Sequence, residues 1–217
     1  MNANLRRDST APLTYEHLLR AQGYTRIAGL DEAGRGPWAG PVAAAAVILP
    51  DTPDLLHTLK GARDSKQMTP RQREHMVGVI QEHALTWGIG SATADEIDQL
   101  GLNPAILLAF NRALAQCHPQ PDFLLLDYVR WPQAPLPYEA IKRGDRASLS
   151  IACASILAKT WRDQHMRELH TRHPEYGFAA HKGYGTALHQ AAIARCGVLR
   201  GVHRTSYKPV RQALGLA

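Results

Sequence analysis

Cysteine is scarce in this chain. Cys117, Cys153 and Cys196 stand far apart and form no C-x-x-C pair. That spacing excludes a disulfide framework and a zinc knuckle, and it suits a reducing cytosol. Cys153 lies in a run of small residues and reads as a core packer. No H-E-x-x-H zinc motif is present. No stretch reaches the roughly 18 uninterrupted apolar residues that a membrane span needs. The opening residues, MNANLRRDST, hold no apolar segment of a secretory signal. Internal repeats and low-complexity segments are also missing. A cytoplasmic globular protein is the expectation. The 217 residues, 45% of them hydrophobic, suit one domain with a small appendage.

Acidic charge is in deficit. Lys and Arg total 25 against 19 Asp and Glu, a formal net charge of +6. A basic balance favours anionic partners, nucleic acid being the commonest.

Hydrophobic patterning predicts the elements. Residues 1 to about 23 read as a polar, partly helical lead-in. TRIAGLDEA and GPVAAAAVILP read as strands, the second resting on its flanking prolines and terminal Val-Ile-Leu because alanine is a poor strand former. A helix begins at Thr69 as N-cap with Pro70 in its first turn. LTWGIGSAT is a third strand. A helix broken at Gly101 follows, with Pro104 in the first turn of its second half. DFLLLDYV is a continuous apolar run, the mark of a strand buried on both faces, and it ends on Asp127. RWPQAPLPYEA reads as a proline-rich loop. A long helix follows Gly144-Asp145, capped by Ser148 or Ser150. The pattern describes a mixed α/β sheet with helices on its faces.

Two features of the first strand end demand an explanation. Gly34-Arg35-Gly36-Pro37-Trp38-Ala39 fits the G-x-G-x-x-A dinucleotide fingerprint. That fingerprint needs a helix to start there, and Pro37, Pro41 and the strand that follows deny it one. Asp31 and Glu32 are adjacent at the end of a strand, Asp127 ends a second apolar strand, and Asp145 follows Gly144. Parallel strands present their carboxyl ends on one edge of a sheet, where ligands bind. Carboxylates gathered there raise one another's pKa unless a cation neutralises them. Hard oxygen ligands suit Mg²⁺ or Mn²⁺ rather than zinc. In a basic protein such a site implies phosphate chemistry, in which two ions about 4 Å apart activate a water and stabilise a leaving oxygen.

Six segments, in order, carry a resemblance: GLDEAGRGPWAGPVAAAAV, ARDSKQMTPRQRE, LLLDYV, KRGDRASLSIACASILAKTWRD, YGFAAHKGYGT and GVHRTSYKP. Together they resemble the motif series of the ribonuclease HII family, the bacterial type 2 ribonucleases H, over roughly residues 24 to 209. The resemblance implies a ribonuclease H-like α/β fold with a helical C-terminal region. It implies an N-terminal extension over 1–23, a catalytic core over 24–170 and a substrate-contacting region over 171–217. It implies a metal-dependent endonuclease acting on RNA–DNA hybrid and on duplex DNA with embedded ribonucleotides. Such an enzyme cuts 5′ of the ribonucleotide and leaves 3′-hydroxyl and 5′-phosphate ends. The family's four metal-binding acids map onto Asp31, Glu32, Asp127 and Asp145. Its Gly-Arg-Gly reader of the ribose 2′-hydroxyl maps onto Gly34, Arg35 and Gly36, and its tyrosine at the RNA–DNA junction onto Tyr184.

Chemistry supports those assignments. The 2′-hydroxyl is what separates RNA from DNA, and glycine lets a backbone approach it closely. Ser65-Lys66 resembles the family's phosphate-contact loop, with an ordinary capped turn as the competing reading. Asn103 is placed on backbone phosphate or at the helix start before Pro104. Lys142, Arg143, Arg146, His181, Lys182, His203 and Arg204 are candidates to line a duplex groove. Asp64 and Asp163 read as structural, Asp163 in a surface pair with Lys159 four residues earlier on the helix. Three positions depart from the family's usual residues: Tyr128 where glycine is frequent, Cys153 for alanine and His181 for asparagine. Another metal nuclease of the same fold, such as a junction resolvase, would share the acids without needing Gly-Arg-Gly and Tyr184. A hybrid-binding module without activity would have lost an acid, and a small-molecule phosphatase leaves the basic tail unexplained. A monomer is expected, and the ending RQALGLA lacks the aromatic-ended peptide used to dock on a sliding clamp.

Overall fold

The computed structural model describes residues 10–216. The first nine residues of the expected lead-in lie outside the described residues. In chain order the elements are α1 (Thr14–Ala21), β1 (Ile27–Ala33), β2 (Val42–Ile48), α2 (Leu55–Thr58), a 3₁₀ turn (Ser65–Gln67), α3 (Pro70–His83), β3 (Thr86–Ala92), α4 (Ala94–Leu100), α5 (Leu102–Leu114), β4 (Phe123–Asp127) and β5 (Tyr138–Ile141). Then come α6 (Gly144–Ala147), α7 (Leu149–Arg172), a second 3₁₀ turn (Pro174–Tyr176), α8 (Phe178–His181), α9 (Ala187–Cys196) and α10 (Lys208–Ala213). No helix among the described residues is long and apolar enough to cross a membrane.

The sheet order is β3-β2-β1-β4-β5. β2 runs antiparallel to β1 and β3, whereas β1, β4 and β5 run parallel. Helices cover both faces. Ala45 and Val47 of β2 pack with the first half of α7 and with Met76 and Ile80 of α3. Ala44 and Ala46 pack with Ile106, Ala109 and Phe110 of α5. Small strand residues make this close layering possible. A Cβ on Gly29 would fall 2.2 Å from the Ser150 carbonyl carbon, and one on Gly90 would fall 2.1 Å from the Ala109 oxygen. The alanines that weaken the strand propensity of β2 therefore serve its packing.

The local starts agree with the sequence. Thr69 caps α3 as expected and closes a capping box with Gln72, and Thr93, which the sequence reading does not single out, does the same for α4 with Glu96. Ser148, rather than Ser150, caps α7. Ser150 instead binds a buried acid. Its hydroxyl and amide donate to Glu16 at 2.7 and 2.9 Å, and the Ser148 hydroxyl donates to the same oxygen at 2.6 Å. The described part of the lead-in is thus docked on the start of α7 through Glu16. One element departs from expectation. The proline-rich stretch ends in β5, an edge strand whose mostly solvent-facing residues give no apolar alternation to read. Cys153 is buried in the core, as expected.

Candidate active site

The pleat of β1 separates the two adjacent acids. Ala28 and Leu30 face α5, whereas Ile27 and Gly29 face the side of α7. Alternation then sends Asp31 to the α7 side and Glu32 to the α5 side. Leu30 pairs with Leu126, so Asp127, one residue on, stands beside Asp31 on the same side. Asp145, on the short helix α6, completes the group. One oxygen each from Asp31, Asp127 and Asp145 lie within 4.8 Å of one another. The Gly144 amide fixes Asp127 Oδ1 at 2.8 Å, and the Glu32 amide fixes Asp31 Oδ1 at 2.7 Å. Glu32 lies outside this threesome. Its Oε1 accepts from Arg35 at 2.9 Å, and its buried Oε2 has no partner among the described residues.

Burial and mutual repulsion act on these groups. Burial, then Glu32 and Asp127, push Asp31 well above the usual carboxylate range. Burial likewise raises Glu32, against the opposing pull of Arg35. Burial raises Asp127. Burial and the charges of Asp64 and Asp127 push Asp145 up to about 6. The nearby Lys66 ammonium partly offsets the rise at Glu32, Asp127 and Asp145. Clustered carboxylate oxygens, an orphaned fourth carboxylate oxygen and raised pKa values fit a hard divalent cation.

Beyond β1 the chain enters an irregular loop and no helix starts before Val42, which removes the dinucleotide reading. Gly34 has φ +104°, and a Cβ there would fall 2.1 Å from Arg162 Nε. Only glycine satisfies both conditions. Two buried arginines hold the loop from behind. Arg162 donates to the carbonyls of Pro41, Ala39 and Lys182 at 2.9, 3.1 and 3.1 Å. Arg204 donates to those of Gly34, Gly40 and Arg35 at 2.7, 3.0 and 3.1 Å. Neither has an ion-pairing carboxylate among the described residues. Burial and the Arg204 charge lower Arg162 to about 10, which leaves it charged at neutral pH. With the carbonyls of Gly34 and Arg35 engaged behind, Arg35 and Gly36 keep amides that donate to no partner among the described residues.

Tyr184 adjoins this loop. A Cβ on Gly36 would lie 3.6 Å from its ring, which is 46% exposed. A histidine relay holds its backbone. The Leu199 amide donates to His203 Nδ1 at 2.9 Å, so His203 Nε2 carries the proton and meets His189 Nε2 at 3.0 Å. His189 Nδ1 is then the donor to the Tyr184 carbonyl at 3.0 Å. Both rings are neutral in this chain of bonds, and burial lowers both to about 4. His181 stacks on His189 with ring centroids 4.3 Å apart.

The remaining candidates divide. Lys66 and Asn103 are exposed near the acids, and Asn103 Oδ1 accepts from Arg35 at 3.3 Å. Asn103 does not cap α5, whose N-cap is Gly101. Ser65 faces inward, accepting from Ser155 at 2.8 Å, in a turn capped by Asp64. Lys182 turns its ammonium onto the Ala179 carbonyl. His181, His203 and Arg204 do not line a groove, because all three are buried. Nor is Lys159–Asp163 a surface pair. Asp163 is buried, with Lys159 at 2.5 Å and Arg73 of α3 at 3.1 Å. Sequence reasoning misses Arg162 and His189, whose spacing on the helices carries no sign of carbonyls contributed by residues so distant.

The ribonuclease HII family model matches residues 28–210. Ribonuclease HII of Syntrophotalea carbinolica is 49% identical over 207 residues, covering 95% of this chain and 97% of that protein. The ribonuclease H2 structure from Pyrococcus horikoshii superposes with a TM-score of 0.74 at 24% identity, covering 87% of this chain and 96% of that one. The structure of Bst RNase HIII in complex with Mn²⁺ superposes with a TM-score of 0.70 at 18% identity, covering 88% and 70%. The chain belongs to the ribonuclease HII family and is a ribonuclease H, a hydrolytic endonuclease.

Proposed function

We propose that this protein cleaves the RNA strand of RNA–DNA hybrids and cuts duplex DNA on the 5′ side of an embedded ribonucleotide, leaving 3′-hydroxyl and 5′-phosphate ends. The observation that carries this reading is the adjacency of the Gly34–Gly36 loop to Asp31, Asp127 and Asp145. Asp31, Asp127, Asp145 and the free oxygen of Glu32 would hold Mg²⁺ or Mn²⁺. When bound, such ions activate water for attack and neutralise charge on the phosphodiester. The family membership and the relative carrying Mn²⁺ support this assignment.

The other roles belong to the chain itself. The amides of Arg35 and Gly36 bond the ribose 2′-hydroxyl of the nucleotide being cut, which a deoxyribose lacks. Arg162 and Arg204 hold the loop's carbonyls so that those amides stay directed outward. Arg35 bridges Glu32 and Asn103 and fixes the reader against the acids. Tyr184, supplied by the region 171–217, rests against the sugar that follows. Lys66 and Asn103 meet substrate phosphate, whereas Ser65 and Lys182 position neighbouring backbone.

The test is cleavage of an end-labelled DNA duplex containing one ribonucleotide, beside an all-DNA control, with Mg²⁺, Mn²⁺ or EDTA. The expected result is a metal-dependent cut 5′ of the ribonucleotide and nowhere else. Cutting of both duplexes would leave the acids a role but remove the sugar reader.

A further inference from the structure

Tyr128 occupies a backbone conformation that suits glycine. It follows Asp127 at the end of β4, and its φ is +55°. A bulky L-residue is strained there because Cβ crowds the carbonyl oxygen. The turn itself is fixed from both sides. The Tyr128 amide donates to Leu126 and Ile141 at 3.1 and 3.0 Å, and the Asp127 carboxylate is tied to the Gly144 amide. Glycine would make this turn freely, so the need for the turn does not account for a tyrosine. Nor does packing. The residue is 71% exposed, and its side chain makes no hydrogen bond or ring contact among the described residues.

The ring borders a cleft of about 480 Å³ lined by Arg35, Asn103, Tyr128, Val129, Arg130 and Ala140. Arg130 is exposed and forms no ion pair among the described residues. The cleft joins the active site through Arg35, which bonds Glu32. It combines an aromatic face, two guanidinium groups and a side-chain amide, and no acid lines it. That chemistry recognises a sugar–phosphate strand with its bases: aromatic faces stack on nucleosides and guanidinium groups pair with phosphate. Residues held in sparsely populated backbone regions cluster at active sites and ligand clamps.

We propose that Tyr128 and Arg130 form a substrate subsite, in which the tyrosine ring packs on a nucleoside flanking the bond that is cut and Arg130 takes a neighbouring phosphate. The inference rests on the reading that this protein cuts duplex DNA at ribonucleotides.

The test compares wild type with Tyr128→Gly, Tyr128→Phe and Arg130→Ala in steady-state cleavage of the single-ribonucleotide duplex, with Tm measured for each. Tyr128→Gly should raise KM by about 5- to 10-fold, with kcat within about twofold and Tm not lowered. Tyr128→Phe keeps the ring face and should match wild type. Arg130→Ala should reduce the slope of log KM against log salt by about one. A wild-type KM in Tyr128→Gly would overturn the proposal. So would a fall in kcat at constant KM, which would mean that the residue acts through Asp127. A lowered Tm would show that the ring supports the fold instead. Failure of the wild type itself to cut at the ribonucleotide would remove the broader reading, a result visible before any variant is compared.

Discussion

Two regions of this molecule bury charge, and they treat it in opposite ways. At the edge formed by β1, β4 and α6, carboxylates crowd one another, their pKa values rise, and one oxygen of Glu32 is left without a partner among the described residues. Behind the Gly34 loop, Arg162 and Arg204 are also buried, yet every nitrogen of each guanidinium donates to a backbone carbonyl. The nearby histidines are equally satisfied as neutral rings. Buried like charges left uncompensated signal a group that arrives from outside, whereas buried charge with every bond made signals architecture. On the proposed function, the first region performs chemistry and the second holds the surface that selects where it occurs.

The largest expected effect breaks the first region. Asp31→Asn should lower cleavage by on the order of 10³-fold or more, the scale of losing a major electrostatic contribution to the transition state. It should not lower Tm, because it removes a repelling charge. Normal turnover by this variant would refute the assignment of the acids.

Breaking the second region should do the reverse. Arg162→Met strands three buried carbonyls and should cost about 3–5 kcal/mol, or roughly 10 °C in Tm. The loss of stability should come with a raised KM, since the Gly34 loop loses its anchor. Thermal unfolding and single-ribonucleotide kinetics on the same preparation check both.

Acid sharpens the contrast. His189 and His203 have folded pKa values of about 4, below the ordinary 6.5. A lowered histidine pKa means that the unfolded chain binds protons first. The contribution is therefore fully present above pH 6.5 and is lost as pH falls from 6.5 to 4. Denaturant titrations over that window should show a loss on the order of 3 kcal/mol for each ring, and His203→Asn should flatten the slope. The smallest effect lies back among the acids. Asp145→Asn should stabilise the metal-free protein by about 1–2 kcal/mol at pH 8, where the native carboxylate, raised to about 6, is ionised against its neighbours.

The same contrast explains what the sequence reveals and what it hides. Apolar runs that lead into Asp31 and Asp127 are legible because charge at the end of a buried run is anomalous, and the cap at Thr69 is a local signal. Arg204 and His203 read as groove residues because cations in a basic tail look solvated. Their burial depends on carbonyls of residues 34 to 40 and on a bridge to Ala39, which no local pattern shows. Asp163 misleads in the same way, since its buried partner Arg73 lies 90 residues earlier. β5 escapes notice because an exposed edge strand needs no apolar period. The glycines of the Gly34 loop are legible as a motif, but the reasons for the first of them are its positive φ and Arg162, a residue far along the chain that packs directly behind the loop.

The most direct measurement is the thermal stability of wild type and Asp31→Asn in EDTA, Mg²⁺ and Mn²⁺. If the crowded carboxylates form a cation site, a divalent ion should raise the wild-type Tm by several degrees and leave the variant unchanged. An equal response of the two proteins, or none in either, would contradict the claim that this unbalanced cluster is built around a metal.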